Sequence, residues 1–530
     1  MGATGVLVGG LLVAVAALAA LARLLSIPYP IVLVVGGAVI GFVPGLPHVQ
    51  LEPDVVLLVF LPPLLYLAAY QANFRDLREN LRGLTLSSVG LVLATMVAVA
   101  AVAHTLVPEL AWPAAFALGA IVSPTDPLAA GLVMRRLGVP RRLVSTVEGE
   151  GLFNDATALV AYRVALAAVV GGTVSLGGAA LSFVLGAVGG IAIGLVIGWL
   201  AGLVRGRLAD PQVSVTVSLL TGYAAFIPAN AVGASGVLAA VTAGLHAGVR
   251  SFPALPARAR LQGYLVWDIV NFLINAVLFV LIGLQLDGTI EGLGRYPATA
   301  LVGYSLAVCG VVVLTRLAWF FSVPYLVRAV DRRPSQRNRR AGARHRLLIG
   351  WSGMRGSVSL AAALALPLTT GPGVPFAPRD LIVFLTFAVI LGTLVVQGLS
   401  LPALIRALGV SDGGTAANDD EIRARLAATH AALERIEELA AQDWTRDDSV
   451  DRMRRAYDYR RRRLSALADD GDGGDEDYED RSLAYQRMVV LVLEAQREQL
   501  VRMRNSGEIS NEVMLRVIHD FDLEEARLEI

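Results

Sequence analysis

The sequence predicts an all-α polytopic membrane protein, with about thirteen transmembrane helices over residues 1–410 and a charged, mostly helical tail over 411–530. Three observations carry that prediction. Hydrophobic residues make up 55% of the 530-residue chain and charged ones only 17%, and mean hydropathy is +0.61. The apolar residues come in runs of roughly 20, long enough to cross a hydrocarbon layer of roughly 30 Å. Loop arginines also alternate: one set of loops, which includes Arg23, Arg75, Arg78 and Arg82, holds 21 of them, against Arg295 and Arg379 in the opposite set. By the positive-inside rule this asymmetry puts the N-terminus outside, the tail in the cytoplasm and an odd number of spans between them. The chain is expected to be integral to the cell (plasma) membrane.

Composition narrows the function classes. The net charge of +1 hides a division between apolar spans with basic loops and a highly charged tail, and nothing in it implies nucleic acid. Cys309 is the single cysteine, so neither a disulfide framework nor a thiolate metal site is available. No resident cofactor is expected.

The first segment, "VLVGGLLVAVAALAALARLLS", lacks a basic stretch before its apolar run and is too long for a secretory signal, so it reads as a first span. Further on, "SPTDP" sets Pro124 and Pro127 around Thr125 and Asp126 inside an apolar stretch from about Trp112 to Met134. Two prolines so close cannot both lie in a continuous helix, so the span breaks there. Broken backbone at membrane depth is tolerated only where protein or a water-filled cavity surrounds it. The break therefore predicts a site.

The next span, "EGEGLFNDATALVAY", carries Glu148, Glu150, Asn154 and Asp155. Glu148 lies nearest the basic loop and reads as a surface or entrance charge. A charge at the bilayer centre costs about 2.5–3.5 kcal/mol even on insertion scales, so Glu150 needs a counter-charge. Arg355, in "WSGMRGSVSL" between Gly353 and Gly356, is the arginine assigned to it as a structural ion pair. Asp155 is left without an assigned partner. Removing a carboxylate from water disfavours its charged form, so a proton and a metal cation compete for it.

Other spans are informative in smaller ways. Glycines at 186, 190, 194, 198 and 202 recur every four residues and line one helix face, predicting a close helix contact, either a dimer seam or an internal one. Asp268, Asn271 and Asn275 share a face of a later helix, where they line a path or fill a gap between helices. Arg163 and Arg316 read as snorkelling or paired structural arginines.

The tail opens with a linker, "SDGGTAANDD", followed by the helical "EIRARLAATHAALERIEELAAQ". A basic block, "RMRRAYDYRRRRL", could touch anionic headgroups; the acidic "DDGDGGDEDYED" reads as a disordered hinge, and a final helical stretch runs from about Arg481 to the end. The tail regulates the membrane part, braces a dimer or is simply solvated.

Two charged helix breaks, one in each half of the span array, are the pattern of a secondary transporter built from inverted repeats, with an ion site where the breaks meet. A single carboxylate that crosses neutralised by a proton or by a cation is enough for exchange. Two rivals come from other classes: a cation channel with a regulatory tail, and an intramembrane aspartyl protease, whose Gly-x-Gly-Asp context is absent from the spans.

In order and spacing, "SPTDP", "EGEGLFNDATALVAY", "NAVLFVLIGLQL" and "WSGMRGSVSLAAALALP" resemble the monovalent cation/proton antiporters of the CPA1 branch. That branch holds the NhaP-type prokaryotic exchangers and the eukaryotic sodium/proton exchangers. The resemblance implies a homodimer with thirteen spans, two crossed broken helices, elevator-like alternating access and electroneutral exchange of one sodium ion for one proton. It makes Asp155 the ion- and proton-binding carboxylate and Asn154 its neutral neighbour, with Thr125 and Asp126 supplied by the crossed break. Asp155 and Thr125 are the metal ligands on this reading, and Glu150 with Arg355 the structural bridge. Two positions depart from the family frame. Where relatives carry a serine hydroxyl, this chain has Gly151, on the face of Asp155 and beside the path; where many carry an acid, it has Leu67. Potassium/proton exchange is therefore the alternative within the class.

Overall fold

A hydrocarbon layer offers the backbone no hydrogen-bonding partner, so an apolar segment satisfies its own amides by coiling into helix. The computed structural model of the chain is helical almost throughout. It describes residues 3–25, 27–44, 53–72, 85–171, 176–208, 210–330, 342–371, 374–411, 415–468 and 476–526. Two compact units result, Met1–Gly413 and Gly414–Ile530. The arginines at 75, 78 and 82, and the run of residues 331–341, lie outside the described residues.

The first unit begins with α1 (Ala3–Leu25), α2 (Tyr29–Gly41), α3 (Pro53–Val59) and α4 (Leu61–Gln71). A π-helical turn, Leu86–Leu91, leads into α5 (Val92–Leu106). The broken span is α6 (Trp112–Val122) with α7 (Pro127–Arg136), and α8 (Arg141–Gly171) follows it. Next come α9 (Leu176–Arg207), α10 (Pro211–Ala231), α11 (Gly236–Ala254), α12 (Ala257–Leu284), the short α13 (Leu286–Glu291) and α14 (Ala298–Val330). The second interrupted span is α15 (Ala343–Trp351) with α16 (Ser357–Leu364). After a small antiparallel hairpin, β1 (Thr369–Gly371) and β2 (Val374–Pro375), the unit closes with α17 (Arg379–Gly392), a π turn at Thr393–Gln397 and α18 (Gly398–Leu408). Among the described residues, seven helices are long and apolar enough to cross a membrane.

Glycines decide which helices touch. Gly190 and Gly194 of α9 lie where a Cβ would strike the carbonyl oxygens of Ser235 and Ala239, and one on Gly198 would come 3.1 Å from the Ala243 Cα. The glycine stripe is therefore an internal seam between α9 and α11, made by backbones that approach because no side chain intervenes. The far side of α11 does the same against α4, with Gly244 and Gly248 on the carbonyls of Tyr66 and Tyr70. These contacts lock α4, α9 and α11 into one slab. The half-helices α6 and α16 lie inside the unit: every described residue of α6 from Ala117 to Val122 is buried, as is every residue of α16 except Val358.

The second unit is two helical hairpins. The first is α19 (Thr415–Ala440) with α20 (Asp447–Ala468), joined by Arg454, whose Nε and Nη2 donate to the two Glu437 oxygens at 2.7 and 2.9 Å. The second is α21 (Glu476–Asn505) with α22 (Asn511–Ala526), tied by Arg497 to Asp522 at 2.7 Å and Glu525 at 2.5 Å. Two tail expectations need correction. The linker ends by residue 414, because the acids that follow suit a helix N-terminus and residues 415–420 join α19. Of the acidic hinge, residues 469–475 lie outside the described residues, while 476–480 start α21. The final helical stretch is two helices: Gly507 takes the left-handed conformation (φ +81°) and the Ser510 hydroxyl accepts from the Val513 amide at 3.2 Å, a stop signal followed by a start signal.

Candidate ion site at the crossed helix breaks

Pro127 suits the first position of α7, where its missing N–H costs nothing, and the residues before it are turned out of helix. The second break, 352–356, meets this one. The Asp126 N–H donates to the Met354 carbonyl at 2.8 Å. In the other direction, Arg355 Nε donates to the Val122 carbonyl at 3.0 Å, and its Nη1 to the Gly353 carbonyl. Helix ends leave unpaired carbonyls and carry partial negative charge, so a guanidinium at the end of α6 answers both. At the opposite pole, the Asp126 carboxylate occupies the place where a Cβ on Gly356 would stand, at the N-terminus of α16. Each break supplies the charge that the other break's helix end calls for. Arg355 is 1% exposed and its own amide donates to the Thr393 hydroxyl at 3.1 Å, at the start of the π turn.

The helix α8 crosses these breaks with Glu150, Gly151, Asn154 and Asp155 in successive turns. With the Asn154 oxygen accepting from the Thr125 hydroxyl at 2.8 Å, its nitrogen donates to the Gly151 carbonyl at 2.8 Å. Both side chains are buried, and neither amide end is orphaned. Gly151 is also a spacer: a Cβ there would lie 2.7 Å from Pro127 Cδ and 3.2 Å from the Thr125 carbonyl oxygen. α8 rests against the broken segment at this glycine.

Glu150 corrects the sequence reading. Its partner is Arg316 of α14, not Arg355; the two side chains form an ion pair with each 1% exposed. Arg316 also donates through Nη2 to the Ile349 carbonyl at 3.1 Å and lies over the Phe320 ring at 5.0 Å. Gly353 makes this possible, since a Cβ there would collide with the Arg316 side chain. Arg355 is held instead by the carbonyls that the helix breaks set free.

Asp155 has a different environment. It is half-buried, and among the described residues it takes no hydrogen-bond or ion-pair partner. The charged group that bears on it is Asp126, which also reaches Tyr29 at the start of α2. Tyr29 carried no signal in the sequence beyond its place after Pro28.

The remaining candidates divide. Glu148 pairs with exposed Arg135 near the end of α7. Buried Asn275 donates to the Asn271 carbonyl at 2.9 Å and to its side-chain oxygen at 2.8 Å, so these two close on each other along α12. Asp268 is exposed. Leu67 is buried in α4 at 3% exposure, and Arg163 is exposed, its Nη2 donating to Asn230 Oδ1 at 2.8 Å.

Comparison with known proteins follows the same lines. Residues 10–407 match the family described as "Sodium/hydrogen exchanger, transmembrane". An uncharacterised Na+/H+ exchanger of Mycobacterium tuberculosis is 38% identical over 98% of this chain and 97% of its own length. A sodium, potassium, lithium and rubidium/H+ antiporter of Bacillus subtilis is 32% identical, over 71% of this chain and 58% of its own. The solved sodium proton antiporter MjNhaP1 of Methanocaldococcus jannaschii shares the fold, with a TM-score of 0.59 and 19% identity over 76% of this chain and 98% of that one. The helix breaks and the α8 carboxylates all fall inside the matched region, and the chain belongs to the sodium/hydrogen exchanger family.

Proposed function

We propose that the chain exchanges a monovalent cation, sodium or a similar alkali ion, for protons across the cell membrane, with Asp155 as the group that carries both. One observation bears most of the weight: of the charged groups gathered at the helix crossing, Asp155 is the one left without a hydrogen-bond or ion-pair partner among the described residues. Glu150 is answered by Arg316, and Arg355 by carbonyls. A carboxylate with no internal partner takes its counter-charge from what is transported, and one carboxylate holds either a proton or a cation at a time. Thr125 and Asn154, already bound to each other, offer neutral oxygens beside it, and Asp126 adds negative charge. One charge in and one out makes the cycle electroneutral. The site changes sides by an elevator-like movement in a homodimer, with the N-terminus outside and the tail in the cytoplasm. The family match supports cation/proton antiport.

The test is reconstitution into liposomes with a trapped pH dye, adding sodium, potassium or lithium in turn. Wild-type protein is expected to move protons on addition of at least one cation, with apparent cation affinity weakening as pH falls; Asp155→Asn is expected to be silent. A surviving signal in the variant would remove Asp155 from the mechanism.

A second reading, exchange of potassium as well, is favoured by Gly151, at the position where the family resemblance implies a serine hydroxyl. The Bacillus subtilis relative named for sodium, potassium, lithium and rubidium points the same way. Gly151→Ser is expected to lower transport, because its Cβ meets the Pro127 ring at under 3 Å, and to narrow the cation range; an unchanged potassium-to-sodium ratio counts against a role for this position in selectivity.

A further inference from the structure

The π turn at Thr393–Gln397 runs along the second helix break, and π turns are rare enough to mark places where a site needs them. The Thr393 hydroxyl accepts from the Arg355 amide at 3.1 Å, and the Ser400 hydroxyl accepts from Trp351 Nε1 at 2.9 Å. These two bonds fasten both ends of the segment 351–355. Gln397 lies between Thr393 and Ser400 on the same helix face, so its side chain meets the middle of that segment. The next residue agrees with this placement: a Cβ on Gly398 would stand 3.5 Å from Met354 Sδ and 3.5 Å from Ile31 Cδ1. Those are ordinary contacts, so there is room for one more heavy atom beside Gln397, which is what a water needs.

Gln397 is 1% exposed, yet neither its Oε1 nor its Nε2 has a hydrogen-bond partner among the described residues. Buried Leu394 and Leu401 flank it in the chain, and an amide unmet at both ends among them is a burden that a third leucine would not carry. The two ends define the guest. A metal cation would suit the oxygen and be repelled by the NH2 group, and an anion the reverse, whereas water both donates and accepts. The break offers that water a further contact. Its Ser352, Gly353 and Met354 carbonyls accept from the Met354 amide, Arg355 Nη1 and the Asp126 amide, and each carbonyl oxygen has a second lone pair.

We propose that Gln397 binds buried water against the second helix break, its amide donating to and accepting from water that bridges to the carbonyls of residues 352–354. Through that water Gln397 is a positioning residue for the segment that carries Arg355 and so holds α6. The site does not depend on which carboxylate carries the ion.

The test is X-ray radiolysis of the full chain in detergent micelles, with methionine oxidation read by mass spectrometry. Radicals form from water where it is bound, so a buried methionine beside water is labelled and one in a dry core is not. Met354 and Met134 are both 0% exposed. Met354 is expected to oxidise several-fold faster than Met134, and Gln397→Leu to bring it down to the Met134 rate, with the unfolding temperature checking that the variant is folded. Equal rates for the two methionines in the wild type, a comparison that needs no variant, overturn the proposal, as does undiminished Met354 oxidation in folded Gln397→Leu. Hydrogen peroxide added from bulk is expected to oxidise the exposed Met453 and Met488 and to spare Met354. Oxidation of Met354 at their rate would mean a break open to solvent, and overturns a buried water site.

Discussion

Glu150 and Asp155 sit on the same helix, little more than a turn apart, and the fold treats them in opposite ways. Glu150 is sealed at 1% exposure against an equally buried Arg316, while Asp155 is half-buried with no hydrogen-bond or ion-pair partner among the described residues. The same functional group becomes a structural bolt in one place and an open valence in the other. What separates them is the neighbouring backbone: Gly353 clears room for an arginine beside Glu150, and Gly151 brings the broken segment with Thr125 against the turn before Asp155.

The comparison breaks most decisively if neutralising the two acids has the same effect. Asp155→Asn is expected to abolish exchange while leaving the unfolding temperature in detergent equal or higher, since a charge without an internal partner is costly to bury. Glu150→Gln should do the reverse in stability, stranding Arg316 at a cost of about 3–5 kcal/mol. The double variant Glu150→Gln with Arg316→Met should recover most of that loss, because removing both charges also removes the need to pair them. Recovery with Arg355→Met instead would restore the pairing first read from the sequence. Gly356→Ala is a smaller perturbation, forcing Asp126 off the end of α16 at about 1–3 kcal/mol, with reduced exchange; wild-type transport in this variant would show that Asp126 need not stay where it is. Least affected should be Arg163→Ala, within about 0.5 kcal/mol of wild type because the side chain is exposed, and well short of Arg355→Ala. Equal stabilities for these two would mean that Arg355 does not hold α6.

The breaks themselves were legible. Two prolines around Thr125 and Asp126, and two glycines around Arg355, are local chemical signals that no later packing overrides. The choice of Glu150's partner was not, because Arg316 and Arg355 both sit in apolar runs and differ only in which carbonyls and glycines tertiary structure brings to them. The clue lay in Gly353, whose missing side chain serves Arg316 and not its neighbour in sequence. The glycine stripe announced a close contact without naming the other helix, since a bare face fits any backbone. In the tail, by contrast, "NSGEIS" held a readable helix stop and start, with Gly507 ending α21 and Ser510 opening α22.

The reciprocal fastening of the two interrupted spans has a mechanical corollary. Because the amide of Asp126 is bonded to Met354 and the guanidinium of Arg355 to Val122, neither half-helix pair can slide without dragging the other. Were the site to change sides as proposed, bending would therefore be pushed outward, into the connections at the rim, and the crossing would move as one body.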